Sequence, residues 1–174
     1  MTGKIVLSAL TAIVIAFSGV AWPSSASAQE IKNVQTFKDW TSYNWTPNGE
    51  KRCLMASKPM SEQGDYTRRG DVSAWIMHRP GSDRFGEIGF EMGYPVKEKS
   101  VVKAKIGNQS FEFFTRGSNA FAFPEDEGKL LKAMRGGSPM IVTGASTRGT
   151  QTTDIYSLSG FTKASQSIDR DCGR

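Results

Sequence analysis

The segment VVKAKIGNQSFEFFT, residues 101–115, predicts an antiparallel β-hairpin almost residue by residue. Apolar and polar residues alternate on both sides of Gly107-Asn108, a dipeptide favoured in two-residue hairpin turns. A slip of one residue would move every side chain to the opposite face, so the alternation and the turn together specify one register. The predicted pairs are Ile106 with Gln109, Lys105 with Ser110, Ala104 with Phe111, Lys103 with Glu112 and Val102 with Phe113.

Strand-like runs of β-branched and aromatic residues recur along the rest of the chain, with Gly, Pro, Asn or Ser between them. Such spacing is typical of an all-β sandwich or barrel. We expect a mostly β fold: an antiparallel, jelly-roll-like β-sandwich with two short helices and one disulfide. The predicted strands cover residues 40–45, 52–57, 72–79, 85–92, 101–106, 110–115, 119–123, 140–146 and 152–158. Even-numbered residues of the 85–92 strand are predicted to face the core, with Phe121 and Phe123 adding to it.

Two segments have helical rather than strand periodicity. The first begins at Pro124 and has acids at 125–127, apolar residues one turn later and a double glycine after Arg135. Its acidic cluster could bind calcium, but charge at a helix start is the favoured interpretation. The second helix is predicted by Phe161, Ala164 and Ile168, directly before Cys172.

The first 28 residues have the organisation of a secretory signal peptide. Lys4 precedes an apolar run at 5–20, and small residues lead to a predicted cleavage between Ala28 and Gln29. Since a membrane span needs roughly 20 mainly apolar residues, we expect cleavage rather than anchoring and no integral membrane segment in the mature chain. The periplasm, the outer-membrane surface and the cell exterior all remain open as the final location.

Residues 29–174 are the right size for a single domain. The formal net charge of the whole chain is +5, and its basic residues are interleaved with acids. We expect no nucleic-acid partner, because no basic helix, zinc-finger spacing or aromatic-basic sheet motif accompanies this charge. The sequence specifies no oligomeric state.

Two cysteines, Cys53 and Cys172, remain after cleavage. In an exported chain they are expected to form a disulfide that closes a loop of about 120 residues. A redox role is disfavoured because neither cysteine belongs to a C-x-x-C motif.

Catalytic chemistry finds little support in the sequence. His78 is the only histidine, and it lies in a strand-like run with no G-x-S-x-G motif in the chain. One histidine and two distant cysteines give no zinc-ligand spacing, so no metal, cofactor or catalytic residue is predicted. Glu87 and Glu91 share a strand face at about 13 Å, beyond the roughly 5 to 9.5 Å of glycosidase pairs. A carboxylate pair drawn from different strands stays open.

Three features could serve binding. One is a basic stripe of four lysines at 97, 99, 103 and 105, although protection of an edge strand from aggregation is the favoured interpretation. Arg69-Gly70-Asp71 is the tripeptide that some integrins recognise, although a chance occurrence is the favoured interpretation. Trp40, Tyr43 and Trp45 could stack on sugars, but packing is the commoner role of such residues.

The sequence resembles the invasion-associated locus B family of exported alphaproteobacterial proteins over nearly the whole mature chain. The most specific segments are 146–150 and 156–161, and the resemblance also includes 39–40, Cys53, 69–71, 78–80, 93–95, 111–115, 137–145, 153–155 and Cys172.

The resemblance implies an exported single domain without known enzymatic activity or cofactor, in a family named for a member that aids pathogen entry into red cells. We therefore expect a noncatalytic protein that binds an unidentified protein, envelope or host-surface partner. Arg148, Asp154 and Tyr156, beside the most specific segments, are predicted as its polar binding surface. The alternatives are a periplasmic accessory or inhibitor protein acting on an envelope enzyme or polymer, and a hydrolase with a cross-strand carboxylate site.

Overall fold

The structure, a computed structural model, describes residues 32–137 and 139–174; the predicted signal peptide and its cleavage between Ala28 and Gln29 lie outside these residues. The described part contains all nine predicted strands, with ends within two residues of prediction, and two further strands, β1 and β4. The strands are β1 (Lys32–Phe37), β2 (Trp40–Trp45), β3 (Arg52–Ser57), β4 (Ser61–Gly64), β5 (Ser73–Arg79), β6 (Arg84–Glu91), β7 (Val102–Ile106), β8 (Gln109–Arg116), β9 (Asn119–Ala122), β10 (Met140–Ala145) and β11 (Gln151–Tyr156).

All of these strands belong to one antiparallel sheet with the order β1-β2-β3-β5-β6-β9-β8-β7-β10-β11-β4. In a flat sheet β6 and β11, five positions apart, would be separated by about 24 Å at roughly 4.8 Å per strand. Yet the ring centroids of Phe90 on β6 and Tyr156 on β11 lie 5.9 Å apart. The sheet therefore coils until its halves face each other. The predicted antiparallel β fold is confirmed, and the two layers of the sandwich are two halves of one sheet rather than separate sheets.

The hairpin at 101–115 has the predicted register at all five pairs, from Val102 with Phe113 to Ile106 with Gln109. On its outer face Lys103 Nζ lies 3.1 Å from a Glu112 carboxylate oxygen. On its inner face Phe113 packs against Phe90, with ring centroids 4.8 Å apart. The hairpin thus contributes directly to the core between the halves of the sheet.

The inner face of β6 is the predicted one, since Ile88, Phe90 and Met92 are all buried. Phe121 and Phe123, however, are not inner-face residues, and their predicted place in the core is wrong. They lie on the outer face of the sheet, where the centroid of the Phe114 ring is 5.4 Å from the centroid of each of their rings. The alternation of β9 instead turns the small side chains of Ala120 and Ala122 inward.

Both predicted helices are present: α1 spans Pro124–Arg135 and α2 spans Phe161–Cys172. The acids at 125–127 form the first turn of α1. The α2 helix packs on β1, β2, β3 and β5.

Helix α2 is attached to the sheet at both of its ends. At its start, the Phe161 ring packs edge-on against Trp40 at 5.0 Å, and Trp40 Nε1 donates a 2.9 Å hydrogen bond to the Ser157 carbonyl. At its end, Cys172 forms the predicted disulfide with Cys53 on β3. Among the described residues, no helix is long and apolar enough to cross a membrane.

Candidate functional site

Three segments distant in sequence meet at one end of the sheet and enclose a cavity of about 550 Å³, here called the motif cleft. They are the β4–β5 connection at 65–70, the stretch 93–95 after β6, and the β10–β11 turn with the start of β11. Each includes part of a segment that carries the family resemblance. The lining residues are Asp65, Tyr66, Thr67, Arg68, Arg69, Gly70, Gly93, Tyr94, Pro95, Ser146, Thr147, Arg148, Thr150 and Thr152.

Backbone hydrogen bonds join the three segments. Gly70 donates to the Gly93 carbonyl at 2.8 Å, and Thr147 donates to the Pro95 carbonyl at 3.0 Å. Gly93 has φ +70, and a Cβ there would lie 2.6 Å from the Gly70 carbonyl oxygen. A side chain at position 93 would therefore be strained twice, by conformation and by contact. This close approach explains why the chain has glycine at the junction of the two segments.

The floor of the motif cleft is an arginine clamped from several sides. Both terminal nitrogens of Arg69 bond to Asp154, at 2.6 and 2.7 Å, and its Nε donates to the Met92 carbonyl at 2.8 Å. The Arg69 and Asp154 side chains are only 3% and 0% exposed. The Arg69 guanidinium carbon also lies 5.5 Å from the Tyr66 ring centroid and 5.1 Å from that of Tyr94.

These contacts keep the buried arginine charged. Burial works against the charge, but the hydrogen bonds and Coulomb attraction of Asp154 outweigh it, so the pKa of Arg69 stays above its ordinary value. For Tyr94, in contrast, burial itself raises the pKa. Its hydroxyl hydrogen-bonds to Thr152 on β11. The floor is consequently a rigid, internally neutralised unit that joins the β4–β5 connection to β11.

Comparisons with known proteins identify the family. The model of the invasion associated locus B (IalB) protein family matches residues 40–169. The chain belongs to the invasion associated locus B family. A similar solved structure is the invasion associated protein B from Bartonella henselae, with 15% sequence identity, a TM-score of 0.57, and coverage of 78% of this chain and 94% of that one. This likeness supports the shared fold. A comparison with curated protein sequences gives no match.

All three segments of the motif cleft lie within the part matched by the invasion associated locus B model. Arg69-Gly70-Asp71 is one of the motifs that meet there, but its arginine forms the cleft floor. An integrin ligand must display this arginine to solvent. The burial of Arg69 therefore speaks against the integrin interpretation.

The predicted surface group of Arg148, Asp154 and Tyr156 is only partly a surface. Arg148 is exposed and lines the motif cleft. Asp154 and Tyr156 are both 0% exposed, which corrects the prediction for these two residues. They share a face of β11 as predicted, but that face turns into the core, where Asp154 pairs with Arg69. Burial also raises the pKa of Tyr156.

The rim of the motif cleft is basic and rich in hydroxyl groups. Arg68 and Arg148 are exposed, and within residues 32–137 and 139–174 neither has a side-chain hydrogen bond or ion pair. Thr67, Thr147 and Thr150 add hydroxyls to the lining of the same cavity. Arg148 belongs to the predicted polar surface group, whereas Arg68 is not predicted from the sequence. Arg69 belongs to the Arg69-Gly70-Asp71 motif, for which the sequence suggests only integrin binding.

His78 is buried outside the motif cleft and attaches α2 to the sheet. Its Nδ1 accepts a 2.9 Å hydrogen bond from the Gly86 N–H, and its Nε2 lies 2.8 Å from an Asp169 carboxylate oxygen. Nδ1 is thus an acceptor, so Nε2 carries the proton and donates to Asp169. With both nitrogens engaged, neither is available to activate a nucleophile. The described residues contain no group of three or more His, Cys, Asp or Glu side chains placed to hold a metal ion.

Proposed function

We propose that this member of the invasion associated locus B family is an exported, noncatalytic binding protein of the envelope or of a host surface, and that the motif cleft holds the group it recognises. The observation that carries the proposal is the convergence of three motif-bearing segments on one cavity with a locked floor. A site that is ordered before binding loses little conformational entropy when a ligand arrives. The cavity volume of about 550 Å³ is also within the usual range for ligand sites.

The residues of the motif cleft favour binding over catalysis. Among the described lining residues the only carboxylate is Asp65, and there is no histidine, cysteine or lysine. A serine or threonine nucleophile would have no neighbouring histidine or lysine as general base, and among the described residues no hydrogen bond joins Asp65 to one of these hydroxyls. Asp154, the nearest other acid of the site, is already bound to Arg69 through both oxygens. These features support a recognition site that does not transform its ligand.

Two observations support export and the assignment of residues 29–174 as one mature domain. The first 28 residues have signal-peptide organisation, and the Cys53–Cys172 disulfide suits an oxidising compartment. The similar protein from Bartonella henselae is named for an association with invasion. By analogy with that protein we propose a partner on the envelope or on a host surface.

The experiment is site-specific photocrosslinking in living cells with a photoreactive residue at Thr147, an exposed rim position. The matched control carries the same residue at Thr162, an exposed position on α2. We expect a crosslinked species at 147, weakened by Arg148→Ala, and no such species at 162. Equal labelling at both positions would refute the cleft as the binding site.

The identity of the captured molecule separates the alternatives. Capture of a host-surface or envelope component, together with host-cell adhesion, supports the proposal. Capture of a periplasmic enzyme without adhesion replaces it by the accessory or inhibitor function. The N-terminus of the exported protein is expected at Gln29, which N-terminal sequencing checks.

A further inference from the structure

We infer that the ligand of the motif cleft is an acidic saccharide, one or a few sugar rings bearing a carboxylate that Arg68 and Arg148 bind. The inference rests on the proposed function and specifies the ligand class for the same site. It follows from the charge, the hydroxyl content and the two tyrosines of the cavity.

The first argument is the charge of the lining residues. Three arginines and a single acid, Asp65, line the motif cleft. Asp154 neutralises Arg69 from below with both of its oxygens, and Glu62 lies 3.6 Å from the same arginine. Among the described residues, the lining arginines without a side-chain ion pair are therefore Arg68 and Arg148. Guanidinium groups bind carboxylates through paired hydrogen bonds, which selects an anionic ligand with planar oxygen pairs.

The second argument is the hydroxyl content of the cavity lining. Five of the lining residues carry a hydroxyl on an aliphatic side chain: Thr67, Ser146, Thr147, Thr150 and Thr152. Among the described lining residues there is no valine, isoleucine, leucine, methionine or phenylalanine. A peptide segment or acyl chain is usually anchored by apolar side chains in an apolar pocket, and here only Pro95 and the two tyrosines, Tyr66 and Tyr94, offer apolar surface. Hydroxyls that can both donate and accept match the hydroxyls of a sugar.

The third argument is the pair of tyrosines, Tyr66 and Tyr94. Both line the cavity and both rings contact Arg69. Each of these residues is only partly buried. Tyr94 is further fixed by its hydroxyl contact with Thr152. A rigid aromatic surface beside hydrogen-bonding groups provides an apolar contact for the C–H face of a sugar ring.

The test uses two pairs of saccharides, each containing an acidic member and a neutral relative. The first pair is 3′-sialyllactose with lactose, which represents host glycans. The second is N-acetylmuramic acid with N-acetylglucosamine, which represents the bacterial envelope. Binding to the full exported protein is measured by calorimetry at low and at higher salt. We expect the acidic member of at least one pair to bind tenfold or more tightly than its neutral relative, with affinity falling as salt rises.

The variants are Arg148→Ala and Arg68→Ala, with Arg170→Ala as the matched control. Arg170 is also an exposed arginine but lies on α2, so its removal changes the net charge equally. Each rim variant is expected to weaken binding of the acidic saccharide at least tenfold, which corresponds to about 1.4 kcal/mol. Arg148→Lys should retain more affinity than Arg148→Ala, and Arg170→Ala should bind like the parent protein.

Three outcomes would overturn the inference: no acidic saccharide binding below about 10 mM, equal binding of acidic and neutral members, or equal losses from Arg170→Ala and Arg148→Ala. If photocrosslinking at 147 still captures a partner, the proposed function survives and only the ligand class is wrong. If that crosslink is also missing, both proposals fail.

Discussion

Asp154→Asn is the substitution that tests the cleft floor most directly. It keeps the size of the side chain but removes the charge that balances Arg69, whose own side chain is 3% exposed. Removing one partner of a buried ion pair costs about 3–5 kcal/mol, because the other charge is left without compensation. Glu62 lies 3.6 Å from Arg69 Nη1 and is 41% exposed, so it offers partial compensation. We therefore expect a loss near 3 kcal/mol, a large part of the roughly 5–15 kcal/mol that stabilises a typical domain.

The assay is urea unfolding followed by tryptophan fluorescence, with Glu112→Gln as the control. Glu112 pairs with Lys103, but the two side chains are 57% and 53% exposed, so solvent screens the pair and its loss should cost under about 1 kcal/mol. A double variant, Arg69→Met with Asp154→Leu, removes both charges and should lose less than Asp154→Asn alone. If Asp154→Asn costs no more than Glu112→Gln, the Arg69–Asp154 pair does not carry the stability assigned to it.

Three further substitutions or conditions test other parts of the fold. Reduction of the Cys53–Cys172 disulfide, which bridges a sequence separation of 119, should lower the unfolding free energy by about 4–5 kcal/mol in paired urea titrations; an unchanged midpoint would contradict this. Gly160→Ala should lower the unfolding free energy by well over about 2 kcal/mol, because the new Cβ would overlap the Phe37 carbonyl. Gly107→Ala is the control: Gly107 also has positive φ, but a Cβ there would have nothing within 4 Å, so the loss should be about 1–2 kcal/mol. Burial raises the pKa of Tyr156 above its ordinary 10.0, so the stability held by the neutral phenol is complete below that pH and is lost as pH rises from there through the folded-state pKa. Tyr156→Phe should therefore show a smaller loss of unfolding free energy in urea titrations above about pH 10.

The local parts of this fold could be predicted from the sequence because their determinants are local. The register of the 101–115 hairpin follows from a turn dipeptide and strict alternation, and it is correct at every pair. The bounds of α1 follow from a proline, an acidic first turn and a double glycine. Strand β4 was missed because Ser61–Gly64 contains no β-branched or aromatic residue. Its pairing with β11 creates the strand, and that pairing is not encoded within the segment.

The buried Arg69–Asp154 pair shows where sequence patterns become insufficient. Alternation along β11 correctly places Thr152, Asp154 and Tyr156 on one face. The charge of Asp154 then suggests that this face is exposed, because a lone buried carboxylate is strongly disfavoured. The compensating charge comes from a residue 85 positions away, in a connection that the sheet order brings beside β11. Strand patterns specify faces, but partners from distant segments decide which polar face is buried.

The Arg69–Asp154 pair links the stability of the fold to ligand recognition. Some residues of the motif cleft position its walls, and others contact the ligand. Arg69 bonds at once to β11 and to the Met92 carbonyl at the end of β6, so it sets the spacing between two walls of the cavity. Asp154→Asn should therefore weaken both folding and ligand binding, although the Asp154 side chain is buried beneath the cleft. Arg148→Ala should weaken binding alone, because its exposed side chain has no partner among the described residues. If Asp154→Asn unfolded more easily but bound its ligand unchanged, the recognised surface would lie outside the walls that Arg69 positions.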